Sequence, residues 1–262
     1  MFLPRYDRKC RAVYQHHNFV CAKDDFGFAA LHYACCNGHE DVTQMLVQGG
    51  AEVHARTREG FTPASIACSN GHGQVLKYLP PSARSLWCAY EKGNTLLHVA
   101  CTAQHITSPL NPRNRACIGD HCEVVTLLLK YGVNINDVNS DGDSALHIAS
   151  SHGQDDLVMI LICNNADVNL QNTVGNTALH LACTSNRVGS VDQLLKSNAN
   201  VNLTNRDGDT PLHIACSAGN TQLVEKLLRH GALTDIKYNE GKTALELATD
   251  NHHREVVSLL TK

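Results

Sequence analysis

The sequence predicts an all-α fold, a solenoid of stacked helical hairpins. Three observations predict it: a recurring glycine, an apolar pattern of helical spacing inside each period, and a scarcity of aromatic residues. Seven similar segments begin at Gly27, Gly60, Gly93, Gly142, Gly175, Gly208 and Gly241, which are 33, 33, 49, 33, 33 and 33 residues apart. The one long step exceeds the period by 16, so the third copy carries an insertion of about that size. Aromatics are only 5% of the 262 residues, which suits many small cores in a row better than one large core.

Within each copy a turn containing glycine precedes Leu-His-x-Ala, as at Leu31-His32, Leu97-His98, Leu146-His147, Leu179-His180 and Leu212-His213. A Gly or Asn break follows. Then comes a second apolar run, such as Val124, Val125, Leu128 and Leu129 or Leu223, Val224, Leu227 and Leu228, at helical spacing. An Ala-Asp-Val-Asn-like stretch closes the copy, as at Ala166–Asn169 and Ala199–Asn202. The pattern reads as two short antiparallel helices and an extended turn. Helices of about ten residues are unstable alone in water, so stability must come from neighbouring copies sharing a core.

The period of 33 with Thr210-Pro211-Leu212-His213-Ile214-Ala215 resembles the ankyrin-repeat family, over roughly residues 20 to 262. The resemblance implies an elongated, curved solenoid with β-hairpin fingers along one edge, and a domain over 25–262. Residues 1–24 read as an N-terminal cap or partial repeat: Phe19-Val20-Cys21 precedes Gly27 as Glu52-Val53-His54 precedes Gly60, and Val13-Tyr14 falls where two leucines are expected. Repeat two has Ala64-Ser65 in place of Leu-His and carries Pro80-Pro81, so its outer helix should stop by Leu79, a local weak point. The insertion, about 102–120, with Pro109, Pro112, Arg113 and Arg115, reads as an irregular loop leaving between inner and outer helices. It is either a tolerated surface insertion or a second contact surface. The last copy, with Glu246 at the motif histidine and polar Glu240, Lys242, Asp250 and Asn251, resembles a cap with a wetted outer face.

Composition excludes several functions. Hydrophobic residues at 43% and charged residues at 18% are not those of a disordered chain, and a net charge of −3 lacks the basic surplus of a nucleic-acid binder. No apolar run approaches the roughly 18 residues that span a bilayer, and Met1–Tyr14 is no secretory signal. Four His-x-x-Cys pairs, His32/Cys35, His98/Cys101, His180/Cys183 and His213/Cys216, look at first like metal ligands, but they recur at the repeat period and stacking would spread them along the axis. The family resemblance gives the histidine a turn-bonding role, and the cysteine acts as a small buried hydrophobe. Cys35, Cys68, Cys101, Cys183 and Cys216 share that one site, so register explains five of the twelve cysteines. A reduced intracellular protein, cytoplasmic or nuclear, follows; Cys117 or Cys122 beside the insertion stay open as redox-sensitive thiols. A second histidine site, His39, His72, His121 and His253, starts the outer helices. No P-loop, Gly-x-Gly-x-x-Gly or HExxH is present, so neither an enzyme nor a cofactor is expected. Asn202-Leu203-Thr204 matches a glycosylation sequon by chance in such a protein.

The resemblance places partner contacts on the finger tips and the ends of the inner helices. The register assigns Phe26, Phe28, Arg58, Phe61, Lys92, Asp141, Asp143, Val174, Asn176, Arg206, Asp207 and Asp209 to the fingers and His152 to an inner-helix end. Phe26, Phe28 and Phe61 offer aromatic anchors. Asp141, Asp143, Asp207 and Asp209 would steer a basic segment. The alternative is that the aspartates only solvate turns and the rings tuck against neighbouring fingers. Asn136, Asn169 and Asn202 occupy a site that resembles one hydroxylated by an oxygen-dependent dioxygenase in similar arrays; the alternative is a side chain that orders the turn. The reading is a monomeric adaptor or scaffold, in signalling or elsewhere, that binds a protein segment with apolar and basic residues. The alternative is a regulatory or targeting segment of a larger enzyme or channel subunit.

Overall fold

The computed structural model describes residues 20–85, 93–102 and 118–261. Val13-Tyr14, Lys92, Cys117 and most of the inserted segment, with Arg113 and Arg115, lie outside them. The chain divides into two compact units, 1–134 and 135–262.

The first unit contains α1 (Ala30–Cys36), α2 (Glu40–Gln48), α3 (Pro63–Ser69), a 3-10 helix (Gly73–Tyr78), α4 (Pro81–Ser85), α5 (Leu96–Thr102) and α6 (Ile118–Lys130). The inner helices α1, α3 and α5 pack side by side, with α2, the 3-10 helix and α6 behind them. Leu31, Cys35, Leu46, Cys68, Leu76, Leu97, Cys101 and Leu128 form the core between them. In repeat two the outer element is 3-10 rather than a shortened α-helix, and Leu79 follows with ψ 141. Proline crowds the residue before it out of the helical region, so Pro80 fixes that extended turn. Leu79 is itself fully buried. Pro81 then opens α4, at the first helical position where its missing N–H has no cost.

The second unit contains inner helices α7 (Ala145–His152), α9 (Ala178–Thr184), α11 (Pro211–Ser217) and α13 (Ala244–Asp250). They alternate with outer helices α8 (Asp155–Cys163), α10 (Val188–Lys196), α12 (Thr221–Arg229) and α14 (Arg254–Leu260). Each helix packs on its counterpart in the next repeat. Thr177 and Thr210 cap α9 and α11: each hydroxyl accepts the N–H of the motif histidine. That histidine's Nδ1 accepts the cap residue's own N–H in return. This is a capping box in which histidine takes the usual glutamate's place. The outer helices are also tied forward. Asp155 accepts from the Ser190 hydroxyl at 2.7 Å, and Lys226 pairs with Asp192 at 2.6 Å. At the last repeat Leu245, Val257 and Leu260 are half-buried, whereas their counterparts Leu212, Val224 and Leu227 are fully buried. Glu246 there closes its own capping box on Thr243.

Candidate protein-binding surface

The fingers are turns, and three of them are closed by single antiparallel bridges, Lys23 to Ala29, Val138 to Ser144 and Lys237 to Thr243. In four of the fingers one side chain three residues before the glycine organises the turn. The Oδ1 atoms of Asp24, Asn139, Asn172 and Asn205 each accept the N–H groups two and four residues ahead. Sequence reasoning missed these residues, although Asn or Asp recurring at that register is the signature of such a turn. Neighbouring tips are joined by backbone hydrogen bonds: Arg58 N–H to Phe26 O, Thr173 to Asp141, Arg206 to Val174 and Asn239 to Asp207, at 2.9–3.0 Å. Gly175 shows why glycine leads each copy: φ is +79° there, and a Cβ would lie 2.8 Å from the Arg206 nitrogen.

The motif histidines lock fingers to helices. In the second unit the Nε2–H of His147, His180 and His213 donates to the carbonyls of Asn176, Asp209 and Ile236 in the following repeat, at 3.0–3.1 Å. His32 does the same to Ala55 in the first unit. Both ring nitrogens of these four are therefore engaged, and burial holds the imidazoles below their ordinary pKa, His180 at about 4. A metal would have to displace those bonds, and among the described residues no cluster of His, Cys, Asp or Glu is arranged to hold one. Cys35, Cys101, Cys183 and Cys216 are buried free thiols that burial pushes up to about 12. The second histidine site reaches backward. His121 and His253 contact the carbonyls of Ser69 and Ser217, on the inner helix of the preceding repeat.

The assigned contact residues fall into three places. At the tips, Phe26 (69% exposed), Val174 (50% exposed), Arg58, Arg206 and Asp207 face solvent, with Asp141 half-buried. A second row forms the rim beside the inner helices. Phe28 belongs to it and is a correction: it is 8% exposed and packs with Cys36, Ile66, Tyr33 and Phe61. Its backbone turns inward after Gly27, so the ring covers α1 instead of meeting solvent. Phe61, half-buried, rests on the same cluster. Asp143 on the rim accepts from the Asn172 amide at 2.7 Å, and Asn176 accepts from Asn205 at 3.0 Å. Asp209 is half-buried; burial raises its carboxyl, His213 opposes the shift, and nearby Asp207 and Glu240 add to it. The third place is the helix end, where His152 Nδ1 bonds the Ile148 carbonyl.

Asn136, Asn169 and Asn202 stand apart from the tips. Their Oδ1 atoms accept the N–H of Asp167, Asn200 and Leu233, each one repeat ahead, at 2.8–2.9 Å. They order the next repeat's loop rather than their own turn. Their side-chain carbonyls are engaged, while Asn169 is exposed and the other two half-exposed.

The family model for ankyrin repeats (three copies) matches residues 8–85, 31–108, 113–205 and 189–262. The chain belongs to the ankyrin-repeat family. Among ankyrin proteins it is similar to the Notch-regulated ankyrin repeat-containing protein of Homo sapiens and of Xenopus tropicalis, 45% identical over 49 residues. It is likewise similar to the Notch-regulated ankyrin repeat-containing protein A of Danio rerio, 43% identical over 49 residues. These matches cover 19% of this chain and 43–44% of each relative, so the chain spans less than half the length of the relatives it matches. Ankyrin repeats generally mediate protein–protein interaction, and the family is typically non-enzymatic. Among the described residues no helix is long and apolar enough to cross a membrane.

Proposed function

We propose that the chain is a protein-interaction adaptor or scaffold that acts by binding a partner protein, without catalysis, in the cytoplasm or nucleus. The observation that carries this reading is the presentation of Phe26 and Val174, each at least half exposed, on tips that are bonded to the neighbouring finger through the backbone. Within each unit, side chains held on such bonded tips lose little conformational freedom on binding, so more of the contact energy appears as affinity. Exposed aromatic anchors dominate interface energy, and the solvent-facing Phe26 fits that role. The acidic residues Asp141, Asp143, Asp207 and Asp209 favour a basic partner segment. Reduced, buried thiols along the helices suit an intracellular compartment.

Capture from cell extract with the full chain, compared with Phe26→Ala and Val174→Asp variants of unchanged circular dichroism, tests the reading. The expected result is loss of the captured partner in at least one variant. An identical capture profile for all three proteins would refute it.

A further inference from the structure

The dipeptide Asn-Gly occurs twice in the chain, at Asn37-Gly38 and Asn70-Gly71. An asparagine followed by glycine is prone to spontaneous ring closure, because the glycine nitrogen can reach the side-chain carbonyl carbon with no Cβ in the way. The two pairs stand at the same place in repeats one and two, the C-caps of α1 and α3. Their backbones match: φ −105° and ψ 3° at Asn37, φ −100° and ψ 4° at Asn70, followed by left-handed glycines at φ +69° and +78°. The N–H groups that would attack are held alike, Gly38 to the Cys35 carbonyl at 3.4 Å and Gly71 to the Cys68 carbonyl at 3.3 Å. Local sequence and local conformation therefore draw no distinction between the two pairs.

Packing separates them. Asn70 is 5% exposed, and its side-chain amide donates backward to the Cys36 carbonyl of the preceding repeat's inner helix at 3.2 Å. Asn251, at the same register in the last repeat, reaches back to the Ser217 carbonyl at 3.3 Å in the same way. Asn37 is exposed, and its amide turns instead to the Tyr33 carbonyl of its own helix at 2.8 Å. Ring closure requires the side chain to leave these bonds and ψ to rotate until the glycine nitrogen faces Cγ. At Asn37 that disturbs only the last turn of α1, and helix ends open at little cost. At Asn70 it breaks a bond between two repeats and moves a buried amide, so the contact between α1 and α3 must open first.

We propose that Asn37 is a site of spontaneous deamidation and isoaspartate formation in the folded protein, and that the identical pair at Asn70 is protected by the neighbouring repeat. The Gly38 nitrogen attacks Asn37 Cγ; the side-chain nitrogen leaves as ammonia, with the proton that the Gly38 nitrogen gives up. The product is a cyclic imide. Water then opens it. Hydrolysis between the imide nitrogen and Cγ yields aspartate. Hydrolysis between that nitrogen and the main-chain carbonyl carbon yields isoaspartate, in which the backbone runs through Cγ and is longer by a methylene. No group is oxidised or reduced. Either product puts a new carboxylate at the end of inner helix α1, where the terminal main-chain carbonyls already gather negative charge. Inner-helix ends are among the places where the family resemblance sets partner contacts, so ageing changes the charge of that surface in repeat one.

The test incubates the full chain in mildly alkaline buffer, native and in urea. Trypsin cleavage at Lys23, Arg56, Arg58 and Lys77 puts the two asparagines on separate peptides, each with no other asparagine. Mass spectrometry reads conversion of amide to acid in each peptide, and labelling by an isoaspartyl-specific methyltransferase reads the isoaspartate. In the native chain Asn37 should convert at least about tenfold faster than Asn70, and urea should bring the two rates within about twofold. Asn37→Gln, whose longer side chain closes the ring poorly, should remove the native isoaspartate from its peptide. Equal native rates, a faster Asn70, or conversion of Asn37 only in urea would overturn the proposal.

Discussion

Replacing His180 by alanine isolates the lock between a finger and its helix. The imidazole is fully buried, its Nδ1 accepts the Thr177 N–H at 3.1 Å, and its Nε2–H donates to the Asp209 carbonyl at 3.0 Å. Removing it forfeits two hydrogen bonds worth about 1 kcal/mol each net. The cavity left by a mid-sized ring adds about 2 kcal/mol, so the loss near neutral pH is about 4 kcal/mol. The penalty depends on pH. Burial depresses the folded pKa from 6.5 to about 4. The unfolded chain therefore takes up a proton between those values and the folded chain does not. Stability from the neutral imidazole is complete above pH 6.5 and is lost as pH falls toward 4. At pH 5 the wild type has lost about 2 kcal/mol of it. The alanine variant has no such group, so the difference between the proteins should shrink from about 4 to about 2 kcal/mol. Urea titrations followed by far-ultraviolet circular dichroism at pH 7.5 and pH 5 measure this. A difference that is constant or grows in acid would refute a buried neutral histidine as the lock.

Phe28→Ala should cost about 3–4 kcal/mol by opening the aromatic cluster, whereas Phe26→Ala should change stability by less than about 0.5 kcal/mol; thermal melts of both variants decide it. Gly175→Ala should cost about 1–3 kcal/mol, because a side chain there meets both a left-handed backbone and the Arg206 nitrogen. Gly50→Ala has a similar φ and open space around it, so its smaller loss in the same melt is the control. Under native conditions Cys21 and Cys163, both exposed, should alkylate first among the described cysteines, while the buried Cys183, held at about 12, reacts only on unfolding; peptide mapping after timed iodoacetamide reads the order.

Much of the fold was legible because its causes are local. The helices follow from apolar residues three and four apart and from Thr-x-x-His capping, both contained within a dozen residues. The repeat-two outer element was read as a curtailed helix because Pro80-Pro81 is visible. Its 3-10 winding was not legible in the local pattern, and Gly73, which opens it, sits where a Cβ would crowd Val124 and Leu127 of α6. The candidate surface was legible in part. Register alone put Phe26 and Phe28 on the same finger, but they lie on opposite sides of a left-handed glycine, one in solvent and one in the core. The four aspartates likewise look equivalent in sequence. Asn172 engages Asp143, and the change to Tyr238 denies Asp209 the same partner.

By itself the sequence determined the repeat, its length, the helices and the family, because a period and an amphipathic pattern are written in neighbouring residues. It also determined that the recurring His and Cys are architectural, since both return at the repeat interval. Tertiary structure decided what each finger side chain does. The reason is physical: the groups that Asn136, His147, His180 and Asn205 bond stand about one repeat away, 29–31 residues along the chain. Which of them end in a neighbour and which remain for a partner depends on contacts that exist only once the repeats have packed.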